Sequence, residues 1–311
     1  TRMAPGRIVV VGAANLDLIS YVPRLPSPGE TLHGDSFQMG FGGKGANQAV
    51  MAARLGSSVS LVTMLGTDVF GDGTLDNLAE QGVDTTHVHR TDAAFSGVAP
   101  IAVQPDGANA IIIVTGANDH LDIDAIEQAR PAIAGAEVVV CQLELPLEIT
   151  RAALSIAREE GVTTVLNPAP ARSQLPEGLF HLADVLCPNE PETELLTGMS
   201  VASTEQAVAA AQQLRGRGAG TVVLTLGARG CLVVDDEGAS TFDSDDVEVV
   251  DTTGAGDAFV GGLAHLLAGG ADVRDAAARA SRIAAISVTG RGTQTSFPSA
   301  ADLPAELLRG G

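Results

Sequence analysis

Short apolar runs alternate with longer stretches of helical periodicity along most of the chain. Ile8–Val11 reads as a buried strand, Ala46–Leu55 as a helix closed by Gly56, and Leu61–Met64 as the next strand. Thr74–Gln81 is helical and ends at Gly82. After a gap the alternation resumes, with strand Val138–Cys141, helix Leu147–Glu159, strand Thr164–Leu166 and strand Val185–Cys187. Helix Glu205–Arg215, strand Thr221–Thr225 and two further strands follow, Cys231–Val234 and Val247–Val250, in a hairpin-like context around Gly238. Helices Gly256–Leu267 and Val273–Val288 come last. Strands four residues or so long and apolar throughout, separated by helices, predict a parallel sheet covered on both faces.

Two regions break this rhythm. Thr31–Met39 is short and mixed, and Ser96–Gln104 and Ala110–Val114 flank the turn signal Pro105-Asp106-Gly107. These read as antiparallel strands inserted into the α/β unit, serving either as a lid over a cleft or as an edge hairpin. No internal repeat, long linker or low-complexity tract interrupts the 311 residues, so one domain with a small β appendage is expected.

Composition refines the picture. Apolar residues make up 45% of the chain, yet there are only eight Phe, one Tyr and no Trp, so the core is built from Ala, Val, Leu and Ile. The formal net charge of −20 disfavours nucleic acid and anionic membrane surfaces as partners. It leaves an anionic substrate such as ATP open, provided that local backbone donors, Mg²⁺ and placed cations handle its phosphates. Cys141, Cys187 and Cys231 are scattered and form no CxxC pair, which suits buried thiols in a reducing compartment. No apolar run approaches the ~18 residues of a membrane span, and Thr1–Arg7 lacks a signal peptide's apolar stretch, so a soluble, cytoplasmic protein is expected. The six His show no metal-ligand spacing, and the close pair His87 and His89 reads as surface.

The segment Asp251-Thr252-Thr253-Gly254-Ala255-Gly256-Asp257 stands between a predicted strand and a helix. Gly254 and Gly256 permit a tight turn and close approach to a ligand, and the helix start offers free N–H groups and a positive dipole end. Together they suit an anion hole for a phosphoryl group in transfer. Asp257 there either caps the helix or takes a proton from an attacking hydroxyl. A second segment, Gly40-Phe41-Gly42-Gly43-Lys44-Gly45-Ala46-Asn47-Gln48-Ala49, is no Walker A loop, since Gly45 follows Lys44 where Ser or Thr is needed. Its backbone donors, with Lys44 and Asn47, suit a polyhydroxylated ligand.

The two strings together resemble the ribokinase family of sugar kinases, over essentially the whole chain and in family order. Asn15-Leu16-Asp17 is similar to the first sugar-binding motif, and Gly43, Lys44 and Asn47 match sugar-contacting positions of the second. Gln142-Leu143-Glu144 resembles the segment that delivers a further sugar-binding acid, Glu144, and Leu166-Asn167-Pro168-Ala169-Pro170-Ala171 looks like a family hallmark. Pro188-Asn189-Glu190-Pro191-Glu192 is similar to the NxxE segment, which implies Asn189 near the ATP phosphates and Glu192 holding Mg²⁺ through water. Thr225-Leu226-Gly227-Ala228-Arg229-Gly230 matches the nucleotide loop, and Ser281 occupies an adenine-side position often taken by Asn or His.

The resemblance implies an α/β three-layer sandwich over residues 1–311, with a mostly parallel sheet and lid strands at roughly 15–22, 31–41 and 96–115. It implies MgATP-dependent phosphorylation of D-ribose at O5, with Asp257 as general base and Gly254, Ala255 and Gly256 forming the anion hole. The ATP side is expected at Asn189, Thr225, Gly227, Arg229, Gly230, Gly256 and Ser281. An activating K⁺ is implied at Asp251, Thr253, Ser287, Gly290, Gly292 and Ser296, mainly through oxygens. Other acceptors on the same scaffold remain open: deoxyribose, a nucleoside or a phosphorylated hexose. A non-catalytic sugar-binding regulator is the alternative of another class, and a homodimer paired through lid strands is expected.

Overall fold

Alternate residues of one strand join different cores. In strand β1 (Arg7–Val11), Ile8 and Val10 pack on one side of the sheet and Val9 and Val11 on the other. The computed structural model describes residues 6–105 and 108–308. Asp106 and Gly107 of the expected turn, and Thr1–Pro5 of the amino-terminal segment, lie outside the described residues.

After β1 come β2 (Asn15–Tyr21), β3 (Ser36–Gly42), β4 (Ser58–Gly66), β5 (Val88–Thr91), β6 (Gly97–Val103) and β7 (Asn109–Ile111). The second half holds β8 (Val138–Cys141), β9 (Thr163–Leu166), β10 (Val185–Leu186), β11 (Thr221–Thr225), β12 (Cys231–Asp235) and β13 (Gly238–Phe242). Nine of them form one sheet, in the order β13-β12-β11-β10-β9-β8-β1-β4-β5. Every pair from β11 to β5 is parallel, and only the β11–β12 and β12–β13 pairs at one edge are antiparallel, so β12 alone of the nine runs in reverse.

Helices cover both faces, which is why the strand runs are apolar throughout. One face carries α3 (Ile123–Gln128), α4 (Arg130–Ala134), α5 (Leu147–Glu159), α7 (Glu190–Thr197) and α8 (Thr204–Gly216), with α6 (Glu177–Phe180) beside them. The other carries α1 (Lys44–Arg54), α2 (Val69–Glu80), α9 (Ala255–Ala268) and α10 (Val273–Ser287). Gly261 lets α9 approach α1 closely, since a Cβ there would lie 2.6 Å from the Met51 Cβ and 2.8 Å from the Gln48 carbonyl. No helix among the described residues is long and apolar enough to cross a membrane.

Four strands stand apart as a second sheet in the order β3-β2-β6-β7. The β6–β7 pair is antiparallel as expected, and so is β2–β3, but β2 and β6 pair in parallel from Asn15↔Gly97 to Tyr21↔Val103. The predicted strand Val247–Val250 does not form. The partner of β12 is β13, reached through the two residues Asp236 and Glu237. Closing a hairpin over so short a turn costs less entropy than recruiting a segment farther on. Val249 and Val250 are instead 58% and 49% exposed, and the segment is anchored only at its end, where Val250 N–H and Asp251 N–H donate to the Val288 carbonyl. Helix α2 also begins earlier than its periodicity suggests, because Asp68 caps it by accepting from Phe70 N–H and Gly71 N–H.

Candidate active site

Seven chain segments deliver polar groups to the carboxyl end of the large sheet, where open α/β sheets place their ligands. Beyond β1, the chain passes Gly12 and turns into β2 with Asn15 and Asp17. Beyond β8 lies Glu144, beyond β9 Asn167, beyond β10 Asn189 and Glu192, and β11 ends at Thr225. The amino ends of α1 and α9 meet the same place, each led by a glycine in the left-handed region, Gly43 at φ +84° and Gly254 at φ +79°. A small cleft is walled by Lys44, Asn167, Asn189, Glu192, Thr225, Gly256, Asp257 and their apolar neighbours.

Asp257, only 6% exposed, lies in the first turn of α9 and does not cap its helix. Its carboxylate accepts from Asn47 Nδ2 and Gln48 Nε2 of α1, each at 2.9 Å. Charge gathers around it. Burial first, and the Asp257 charge second, push the Asp17 carboxyl up to about 6. Glu144 rises to about 7, because burial outweighs the opposing pull of Lys44, whose backbone N–H donates to Glu144 Oε2 at 2.7 Å. The Lys44 ammonium is held above its usual range by Asp257, against the cost of burial, with Glu144 and Glu192 adding to the effect. Asp17 also lies against Gly42, where any Cβ would come within 2.6 Å of both carboxylate oxygens. Asn15 is buried at the head of β2, its Oδ1 accepting from Asn118 Nδ2 at 2.9 Å.

On the nucleotide side, Asn189 caps α7 in a reciprocal box with Glu192, and Asn189 bridges Thr225 across the strand ends. Glu192 is 5% exposed, and burial raises its carboxyl above the ordinary range despite the Asn189 N–H and Lys44. A buried carboxylate in a cleft wall, short of compensating charge, suits a hard cation brought in with a polyphosphate. Gly227 and Gly230 turn the chain after β11 at φ +57° and +83°. The Arg229 guanidinium pairs with Glu190 and donates to the Val201 carbonyl, and Ser281 is buried in α10 at 4% exposure; like Gly227 and Gly230, both lie outside the lining of the small cleft. A ten-residue-scale motif gives the position of such side chains in sequence but not their direction.

The expected K⁺ ligands lie in a turn and loop beside the anion hole. Asp251 accepts from Thr253 N–H and Gly292 N–H, both at 2.9 Å. Burial opposes its ionisation, but these bonds outweigh it and leave its carboxyl below the ordinary range. A Cβ on Gly254 would fall 2.6 Å from Thr293 Cγ2, so the loop that carries Gly290 and Gly292 abuts the anion-hole turn. Ser287 and Ser296 donate to the carbonyls of Ala284 and Thr293 at 2.8 and 3.0 Å, which leaves their hydroxyl oxygens able to accept or ligate. This oxygen-only donor set fits a weakly held hard cation.

Sequence reasoning assigned no role to the buried amides of Gln48, Gln142, Asn167 and Gln294 or to the half-buried amide of Asn77, which connect directly or in series to Asp257. Gln48 and Asn167 stand inside recognisable strings, but an amide in a sequence carries no mark of burial.

A family model for "pfkB family carbohydrate kinase" matches residues 6–300. The chain belongs to the pfkB family of carbohydrate kinases. Among curated pfkB-type relatives, mouse (Mus musculus) ribokinase is 43% identical over 305 residues, covering 97% of this chain and 94% of that one. The deoxyribokinase of Salmonella typhimurium is 41% identical over 292 residues, covering 94% and 95%. The solved structure of Arabidopsis thaliana ribokinase complexed with ribose and ATP superposes with a TM-score of 0.90 at 31% identity, over 99% of this chain and 100% of that one. The pfkB fold is thus shared across both sheets.

Proposed function

We propose that this pfkB carbohydrate kinase transfers the γ-phosphoryl group of MgATP to O5 of D-ribose, with Asp257 as general base. The observation that carries this reading is the buried Asp257 carboxylate at the amino end of α9, which walls a cleft with Lys44, accepts from Asn47, and lies near enough to Asp17 and Glu144 for its charge to raise both of their carboxyls. The similarity to mouse ribokinase and to the Arabidopsis complex with ribose and ATP supports the acceptor and donor.

In this reading Asn15, Asp17, Gly43, Lys44, Asn47 and Glu144 orient the sugar so that its primary hydroxyl points at Asp257. Asp257 takes the hydroxyl proton as O5 bonds to the γ-phosphorus, the bond from that phosphorus to the β,γ-bridging oxygen breaks, and ADP leaves. Backbone N–H groups of Gly254, Ala255, Gly256 and Asp257 receive the charge on the transferring group. Asn189, Thr225, Gly227, Arg229, Gly230, Gly256 and Ser281 hold the nucleotide. Glu192 would hold, through water, the Mg²⁺ that comes with ATP, and that ion would supply neutralisation of phosphate charge. Asp251, Thr253, Ser287, Gly290, Gly292 and Ser296 would hold K⁺ and so set the shape of the adjacent turn. The four-stranded sheet serves as a lid that excludes water over the bound sugar, within a single kinase domain. Buried free thiols at Cys141, Cys187 and Cys231 suit a cytoplasmic location.

Deoxyribose is the alternative acceptor, favoured by the 41% identity to a deoxyribokinase. ADP release with MgATP, measured against ribose, deoxyribose, fructose, fructose 6-phosphate and adenosine in K⁺ and in Na⁺, tests the whole reading. Selective, K⁺-stimulated turnover with ribose is expected. Preference for another acceptor moves the specificity, and no ADP release with any acceptor overturns the kinase reading.

A further inference from the structure

Asp257 does not choose its own surroundings; a chain of buried amides does. The backbone carbonyl of Cys187 cannot change its polarity, and it accepts from Asn167 Nδ2 at 2.9 Å. That turns Asn167 Oδ1 toward Gln48, whose Nε2 donates to it at 3.1 Å. The other face of Gln48 is set by Gln142, whose Nε2 donates to Gln48 Oε1 at 2.6 Å. Gln142 is itself pressed against Gly12, where a Cβ would fall 2.0 Å from its Oε1. With its oxygen occupied and its nitrogen already facing Asn167, Gln48 can present only N–H to Asp257 Oδ1.

A second chain reaches the other carboxylate oxygen. Asn77 Nδ2 donates to Gln294 Oε1 at 2.9 Å, and Gln294 Nε2 donates to Asn47 Oδ1 at 3.0 Å. Asn47 is thereby held with its nitrogen toward Asp257 Oδ2. The Gln294 backbone is tied in turn, because Arg54 Nη1 donates to its carbonyl at 2.6 Å. Gln48 and Gln294 are 1% and 6% exposed, so water does not readily replace these donors.

We propose that Gln48 and Gln294 are positioning residues for phosphoryl transfer, which clamp the two oxygens of Asp257 through opposed amide relays and aim its remaining lone pairs at the acceptor hydroxyl. The inference rests on the reading of Asp257 as base. A carboxylate free to rotate about its Cβ–Cγ bond would lose alignment with the attacking O–H, a loss that falls on the chemical step and not on sugar binding.

The test compares Gln48→Met, Gln48→Glu and Gln294→Met with wild type and Asp257→Asn, on whichever pentose the wild type turns over. Gln48→Met removes the donor. Gln48→Glu is isosteric and keeps the oxygen that accepts from Gln142, so it holds the test open if the first variant fails to fold. The expected result is a fall in kcat of about 10²-fold for both Gln48 variants and about 10-fold for Gln294→Met, with KM for sugar and MgATP within about threefold of wild type. A kcat within about twofold of wild type in folded Gln48→Glu and Gln294→Met overturns the proposal, as does a loss carried entirely by KM. An inactive Asp257→Asn beside fully active Gln48→Glu and Gln294→Met removes only the relays, whereas full turnover in Asp257→Asn removes the base itself.

Discussion

Three acids, Asp17, Glu144 and Asp257, lie close enough to feel one another's charge, Lys44 is coupled to Glu144 and Asp257, and their surroundings differ. Asp257 is held in orientation by two amide donors, one to each oxygen. Asp257→Asn keeps the volume but removes basicity and sets an NH2 against one of the two amide donors, so kcat should fall by about 10³-fold with MgATP affinity near wild type, read by initial rates and nucleotide titration. Asp17 and Glu144 are instead strained in their charged forms, at about 6 and about 7. Only the ionised forms are pure acceptors for sugar hydroxyls, and protonation replaces an acceptor by an O–H donor. The sugar KM should therefore rise as pH falls from about 8 to 5.5, and sugar binding near pH 6.5 should release protons. Steady-state kinetics across pH, with calorimetry in buffers of different ionisation enthalpy, checks both; a flat KM over that range would separate these acids from sugar recognition.

At the scale of elements, the site exists because two helices start at the same place. Gly261 on α9 permits close packing against Met51 of α1, which brings Asn47 and Gln48 to Asp257. The turn proposed as the anion hole depends on Gly254 in the same direct way. Its φ of +79° costs an alanine roughly 1–2 kcal/mol, and a Cβ would strike Thr293 at 2.6 Å. Gly254→Ala should lower kcat at least about 10-fold with little change in sugar KM, and should lower the melting temperature by a few degrees. Differential scanning calorimetry and initial rates on the same preparation distinguish the two effects.

Across the whole molecule, the four-stranded sheet is the unusual surface. Phe37 and Met39 on β3, and Ile111, Ile112 and Ile113 at and beyond β7, are each more than half exposed, at the two opposite edges of that sheet. Apolar side chains along open edges favour pairing with a second copy. In the proposed homodimer, Phe37→Asp with Ile112→Asp should yield monomers in analytical ultracentrifugation. The sugar KM should rise severalfold if pairing also steadies the lid, whereas a wild-type chain that sediments as a monomer would remove this role.

Much of this arrangement is already written in the order of residues. Apolar runs such as Val138–Cys141 must be buried on both faces, and helices between them force parallel pairing; that is local pattern, and the nine-stranded sheet follows it. Asp257 and the glycines before it were legible because a tight turn into a helix needs those residue types in that spacing. Other features depend on which segments compete for the same partner or meet through space. The short β12–β13 turn excluded Val247–Val250 from the sheet, although that run has strand-like side chains. The parallel β2–β6 pairing joins segments some eighty residues apart, and nothing local to either encodes their direction. Arg229 turned to Glu190, and Ser281 turned into the α10 core, because side-chain direction is set by neighbours distant in the chain. The amides around Asp257 were hidden for the same reason. Gln48, Asn167 and Gln294 have the polarity that matters only once burial removes water and a distant carbonyl, that of Cys187, decides which end of an amide must face which way.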